Sequence, residues 1–214
     1  AKKIIFSPTL RQLQAADRDL RIKNINRYKS IFQKLEIQSK KSTILDIGAN
    51  IGYSSLSFKL AAKPFLVDIY SFEPYPLNQN FFKKNINDSN IKLIPFGLGK
   101  KGKELEIGHP DYTYDIKNED ERLNTGLVSF VGIDKSKING TYKKSKIISG
   151  DKFCNDNLRG KNISFIKIDV EGFEMEVLYG LRKTIMNHKP VIQVESNPIT
   201  MRAANIKIND FLKF

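Results

Sequence analysis

The apolar positions change rhythm partway along the chain. Between residues 9 and 37 they fall at three- and four-residue steps: Leu10, Leu13, Leu20, Ile25, Tyr28, Ile31, Phe32 and Leu35. That period gathers them on one helical face, so one or two helices are expected ahead of the core, closed by the polar SKKS at 39–42. From residue 43 onward short apolar runs take over. TILDIG (43–48), LVDIYSFE (66–73), IKLIPFGL (91–98), ISFIKIDV (163–170) and PVIQVES (190–196) read as strands. Residues 53–62, 77–87 and 173–187 read as the helices between them. Such alternation predicts an α/β fold with a mostly parallel twisted sheet and helices on both faces. Right-handed crossovers then bring all strand C-termini to one edge, where ligands bind near the point at which strand order reverses.

Residues 99–162 interrupt this alternation. ELEIG (104–108) and KSKIISG (144–150) read as short strands, with the polar HPDYTYDIKNEDERLNTG between them. A connection this long serves as a lid, a substrate loop or an insertion. The organisation expected is therefore an N-terminal helical extension, 1–42, and one domain, 43–214, with 99–162 inserted. Only nineteen residues follow Glu195. A fold of this kind normally adds an antiparallel strand pair there. Either the chain is an excised domain, or the insertion or a partner chain completes the sheet edge.

Composition narrows the class. Hydrophobic residues make up 40% and charged residues 28% of 214 positions, which fits a folded globular chain rather than a disordered one. No apolar run reaches the ~20 residues that span a bilayer. Cys154 is the one cysteine, so no intrachain disulfide can form. These features point to a cytoplasmic protein. The net charge is +13, and residues 1–41 hold eleven Lys or Arg against Asp17, Asp19 and Glu36. A second basic cluster runs from Lys135 to Lys146. Such clusters either solubilise the surface or steer an anionic partner such as nucleic acid, a phosphorylated glycan or a membrane surface.

The chemistry starts at DIGANIG, Asp46 to Gly52, between the first strand and its helix. A dinucleotide turn needs G-x-G-x-x-G, but positions 50 and 53 are Asn50 and Tyr53. A phosphate loop needs Lys after its last glycine, where Tyr53 stands. Both readings lack the residues that carry their mechanism. What remains is D-x-G-x-N-x-G, in which Gly48 makes the turn and Gly52 permits close helix packing. Glu73 ends the second strand, 21 residues after Gly52, where an acid can accept both ribose hydroxyls of an adenosine. A free 2′-hydroxyl points to S-adenosylmethionine or a non-phosphorylated dinucleotide.

In order, DIGANIGYSS, FEPYP, IKIDVEGFEMEVLYG and PVIQVES resemble the FkbM-like family of S-adenosylmethionine-dependent methyltransferases. The likeness spans about residues 43–197, and IKIDVEG is its most particular part. It implies a Rossmann-like class I methyltransferase fold and methyl transfer to oxygen, often a hydroxyl of a sugar, glycan or secondary metabolite. By the same likeness Asp46, Gly48, Ala49, Asn50 and Gly52 surround the methionine part of the cofactor. Glu73 and Pro74 lie at the ribose, and Gly97 and Leu98 on the adenine side. The family commonly carries an acid shortly after that last pair. This chain has GLGKKGK instead.

Methyl transfer to a hydroxyl needs in-line placement and removal of a proton. IKIDVEG supplies Lys167, Asp169 and Glu171, which strand alternation puts on one side, with Ile166, Ile168 and Val170 on the other. Asp169 or Glu171 is the expected catalytic base or hydroxyl ligand, and Lys167 can pair with either acid and keep it ionised. Glu195 and Asn197, at the end of the fifth strand, are expected at the substrate. With Asp169 they form an oxygen set of the kind that can hold magnesium, but three hard ligands do not establish one, and no metal is assigned. In the insertion, NTGLVS (Asn124, Gly126, Ser129) resembles a family segment near the substrate, and His109 and Tyr112 can meet a sugar face. Asp151 is expected to start a helix. Two rival readings stand beside this one: an RNA ribose 2′-O-methyltransferase, favoured by the basic charge, and a non-catalytic binding module built on the cofactor fold.

Overall fold

The computed structural model describes residues 18–34, 41–108, 128–131 and 142–214. In the N-terminal extension, α1 spans Arg18–Lys34. Tyr28 and Phe32, four residues apart on α1, are buried, with Tyr28 7% exposed and Phe32 fully covered. Their rings meet Phe58 and Phe165 edge-on, with centroids 4.6 Å apart for Tyr28–Phe58 and 5.5 Å for Phe32–Phe165. α1 therefore packs into the core. The leading part of the expected helix and Leu35 lie outside the described residues.

The alternating region forms β1 (Ser42–Ile47), α2 (Tyr53–Ala62), β2 (Val67–Phe72), α3 (Pro76–Asn85) and β3 (Ile91–Ile94). Further on come β7 (Asn162–Ile168), α5 (Glu174–Gly180), α6 (Arg182–His188) and β8 (Val191–Val194). Strands β3-β2-β1-β7-β8, in that spatial order, make a five-stranded sheet, and every pair in it is parallel. Both faces are covered. Leu45, Ile47, Ile166 and Ile168 join one core cluster, while Ile44, Ile69 and Phe165 join the cluster of Tyr28 and Phe58. This is why the strands read as continuous apolar runs. Strand order reverses between β1 and β7, which sets the binding crevice at their C-terminal ends.

Several expectations need correction. IKLIPFGL is not one strand. β3 stops at Ile94, Pro95 removes a ladder donor, and the Phe96 N–H turns back to the Ile94 carbonyl at 2.9 Å. The chain resumes as β4 (Gly97–Gly99), in a separate three-stranded sheet with β5 (Lys103–Ile107) and β6 (Lys143–Ser149), ordered β4-β6-β5. The expected helix 173–187 is two helices meeting at Leu181. The described strands of the insertion pair with β4 and with each other rather than with β8. After β8 the described chain forms α7 (Pro198–Ala203) and α8 (Ile208–Leu212). No described helix is long and apolar enough to cross a membrane.

Register also changes the meaning of the second basic cluster. Lys146 stands opposite Glu104, and Lys144 opposite Glu106, across the β5–β6 ladder. Opposite charges facing each other across a ladder support the sheet and offset each other's field.

Candidate active site

The turn after β1 is tied down on both sides. The Gly48 and Ala49 N–H groups both donate to the Phe72 carbonyl at the end of β2, each at 3.0 Å. On the other side the Asp169 N–H donates to the Ile47 carbonyl at 3.0 Å. Gly48 has φ +80°, and a Cβ there would collide with the Asp169 carbonyl oxygen. Gly52 has φ +95° and lies against Phe82 and Ile86, so its lack of a side chain does permit close packing. Ala49 is buried and Asn50 is partly covered at φ 51°.

Asp46 is fully covered. Its Oδ2 accepts from the Ser54 and Ser55 hydroxyls at 2.6 and 2.5 Å, and its Oδ1 lies 3.6 Å from the Lys167 ammonium. The Asp46 carboxylate thus joins β1 to the start of α2 from beneath the turn.

Glu73 follows β2 and is 4% exposed. It accepts from the Asn50 N–H and the Tyr75 N–H, both at 2.8 Å, and from the Asn78 side chain. A carboxylate has about four acceptor sites. One therefore remains for a ribose hydroxyl, where the sequence suggested room for two. Burial pushes the Glu73 carboxyl up to about 7, against the pull of those three donors. Pro74 is buried, and its carbonyl accepts from the Ser145 hydroxyl at 2.6 Å, which fastens the small sheet to this edge. Gly97 lies in β4 against Ile147 of β6. Leu98 is 1% exposed within the core cluster and pairs with Ile148 of β6.

The acids gather just past β7. Strand alternation holds: Ile166 and Ile168 enter one core cluster, while Lys167 points to the other face. The chain then leaves strand geometry, and Glu171 adopts φ 52°. Carboxylate oxygens of Asp169, Glu171 and Glu195 lie within 4.8 Å of one another. The Lys167 ammonium is 3.0 Å from Asp169. Burial works to raise the Asp169 carboxyl, but Lys167 and a hydrogen bond from Glu195 outweigh it and hold it below the ordinary carboxylate value. Glu195 goes the other way, raised by burial and by the charges of Asp169 and Glu171. Burial, with the charges of Asp169 and Glu174, lifts Glu171 to about 8. One acid of the three is therefore ionised at neutral pH while its neighbours carry protons. The Oε2 atoms of Glu171 and Glu195 are buried, with no hydrogen-bond partner among the described residues.

This spacing would also suit a divalent cation. Such a cation would take the place of the proton shared by Asp169 and Glu195, beside the Lys167 ammonium on Asp169 Oδ2. Asn197 caps α7, its Oδ1 accepting from the Ile199 N–H at 3.0 Å. Glu171 joins Asp169 and Glu195 in the carboxylate cluster.

The insertion returns to this site through Ser129. Its hydroxyl donates to the Glu171 carbonyl at 2.5 Å, and its backbone bridges Gly108. Asn124 and Gly126 of the same motif, with His109 and Tyr112, lie outside the described residues. Asp151 is structural. It accepts from the Lys183 and Thr184 N–H groups, at 3.1 and 2.8 Å, at the start of α6, and Ser149 caps α4 (Gly150–Asn157). Sequence reasoning passed over Glu174, which is 1% exposed and accepts from the Val170 and Gly172 N–H groups at 3.2 and 3.1 Å. Those bonds shape the turn that carries Glu171. An acid in the first turn of the helix after IKIDVEG was the available signal.

A parallel sheet with a glycine turn at its switch point, an acid ending the next strand and acids at the facing strand end define a Rossmann-like methyltransferase fold. The methyltransferase FkbM domain matches residues 46–213, and the chain belongs to that family. No curated protein matches it. Among solved structures it is similar to methyltransferase FkbM from Methylobacillus flagellatus KT, at 17% identity and a TM-score of 0.50. That likeness covers 81% of this chain and 38% of the other, and it concerns the fold.

Proposed function

We propose that this chain transfers a methyl group from S-adenosylmethionine to a hydroxyl oxygen of a sugar, glycan or secondary metabolite. The observation that carries this reading is the Asp169 carboxylate at the switch point, its backbone packed against the glycine turn and its Oδ2 3.0 Å from the Lys167 ammonium. When bound, S-adenosylmethionine supplies an electrophilic methyl on a good leaving group. Glu73 suits its ribose, since it has one open acceptor site beside the turn.

Asp169 accepts the hydroxyl proton as the new carbon–oxygen bond forms, and afterwards releases it to water. Protonated Glu195 donates to Asp169 and keeps its charge localised before transfer. The buried Oε2 atoms of Glu171 and Glu195 are free to bond neighbouring hydroxyls, which favours an acceptor with several of them. Ser129 holds the turn that presents Glu171. A reducing, cytoplasmic setting suits the lone buried thiol of Cys154.

Titration calorimetry with S-adenosylhomocysteine tests the cofactor, with Glu73→Ala as control. Micromolar binding that weakens by about 10-fold or more in the control supports the reading, since such a loss matches a charge-assisted hydrogen bond. No binding at millimolar ligand would overturn it. Transfer of labelled methyl to polyhydroxylated acceptors, and not to RNA, then tests the substrate class.

A further inference from the structure

Lys167 is the most deeply placed cation of the site, 7% exposed, yet it faces no cleft directly. Its ammonium has three neighbours drawn from two strand ends. These are Asp169 Oδ2 at 3.0 Å, the Gly48 carbonyl at 3.3 Å and Asp46 Oδ1 at 3.6 Å. The first belongs to the acid group, and the other two to the floor and rim of the cofactor turn. The backbone repeats the connection, because the Asp169 carbonyl packs on Gly48 and the Asp169 N–H donates to Ile47.

We propose that Lys167 is a positioning residue that couples the cofactor turn to Asp169, so that occupancy of the turn and readiness of the acid are one event. This rests on the cofactor reading above. A buried ammonium can satisfy three acceptors only while all three stay in place. Movement of the Gly48 carbonyl on ligand binding therefore redistributes the ammonium toward or away from Asp169. Coupling of this kind is reciprocal: whatever binding at the turn does to Asp169, the charge on Asp169 does to binding.

Other charged or titratable groups face the ammonium from each packed element. From α1 comes Tyr28, with Arg27 beside it, and Tyr28 is hydrogen-bonded to Gln193 of β8. Asp46 comes from β1, and Glu195, beyond β8, reaches it through Asp169. Burial works to lower the Lys167 ammonium, but Asp169 and Asp46 outweigh it and raise it. The ammonium therefore stays charged throughout the accessible pH range.

The test measures S-adenosylhomocysteine affinity across pH in four proteins: wild type, Lys167→Met, Lys167→Arg and the double variant Lys167→Met/Asp169→Asn. Lys167→Met is expected to weaken binding by about 10-fold, within the usual range of coupling between sites, and to change the pH profile. Lys167→Arg should recover most of the affinity. The double variant should lose less than the single one, because it removes the uncompensated acid. If Lys167→Met folds and binds with wild-type affinity and pH profile, Lys167 is only a buried counter-ion and the inference falls.

If Lys167→Met does not fold, Asp169→Asn decides in its place. Altered affinity supports the coupling and unaltered affinity overturns it. If the wild type binds no S-adenosylhomocysteine, the cofactor reading fails on its own. The link from Lys167 to Asp169 is then read from the 13C carboxyl titration of Asp169, comparing wild type with Lys167→Arg. An unchanged titration overturns the inference and a changed one supports it.

Discussion

β1 is flanked by β2 and β7, and each of those strands runs into an acid at the same sheet edge: Glu73 after Phe72 and Asp169 after Ile168. Glu73 is 4% exposed and the Asp169 side chain 36%, and the two end in opposite states. Glu73 is given only amide donors, and burial carries it up to about 7. Asp169 is given a buried ammonium at 3.0 Å, which overcomes burial and holds it low. The two strand ends differ in exposure and in counter-ion, and both differences favour the charged form at Asp169. Under the proposed reaction, Glu73 is then suited to bond a cofactor hydroxyl and Asp169 to take a proton.

Gly48 sits between these two ends, bonded to one and packed on the other, and removing its freedom should have the largest effect. Gly48→Ala must move the Asp169 carbonyl and strain a residue at φ +80°. We expect a loss of about 3 kcal/mol or more in denaturant unfolding, together with loss of S-adenosylhomocysteine binding, from backbone strain and the collision combined. Wild-type stability and affinity in this variant would separate the two strand ends and dissolve the comparison.

Asp169→Asn should retain the fold and lower methyl transfer by about 10²- to 10⁴-fold, the usual contribution of a general base. The measurement is labelled methyl incorporated into whichever hydroxyl acceptor the wild type accepts. A loss below about 5-fold would hand the proton-removing role to Glu171 or to solvent.

The acids with raised values also set a pH trend. Glu73 and Glu171 keep their protons up to about 7 and about 8 in the folded state, against an ordinary value of 4.5. The folded chain therefore binds more protons than the unfolded one between 4.5 and those values, and stability falls as pH rises through that window. Asp169 has the opposite sign. Its contribution is complete above 3.8 and is lost as pH falls through its lowered native value. Maximum stability should lie on the mildly acidic side of neutrality. Glu171→Gln should flatten the alkaline decline, recovering on the order of 2 kcal/mol at the upper end, as read from unfolding at a series of pH values. An unchanged slope would show that Glu171 is not buried among charges as the structure has it.

The smallest effect belongs to Asn197→Ala. Losing the α7 cap should cost about 1 kcal/mol and leave S-adenosylhomocysteine affinity unchanged. A large fall in methyl transfer with the fold intact would place Asn197 at the substrate.

Much of this was legible from short stretches. The three- and four-residue steps of α1 and the apolar runs of β1, β2, β7 and β8 are local patterns, and they ended close to where the elements end. DIGANIG announced its turn because a left-handed residue before a helix calls for glycine. The third strand was misread because an apolar run through Pro95 looks continuous. The missing donor and the Phe96–Ile94 turn send it to another sheet. Asn197 also caps α7 through its Oδ1, a role that only the folded chain shows. The basic run near residue 144 could not be discounted until register set glutamates against it.

The order of the elements, the face each strand side chain takes and the position of the turn follow from neighbours a few residues apart, where backbone sterics and periodicity operate. The state of each acid does not. Lys167 reaches the Gly48 carbonyl from 119 positions away, and Glu73 and Asp169 owe their different charges to which groups folding brings within a few ångströms. Burial and counter-ion distance are properties of the packed molecule, so only tertiary structure could set the Glu73 carboxyl above its ordinary value and that of Asp169 below it.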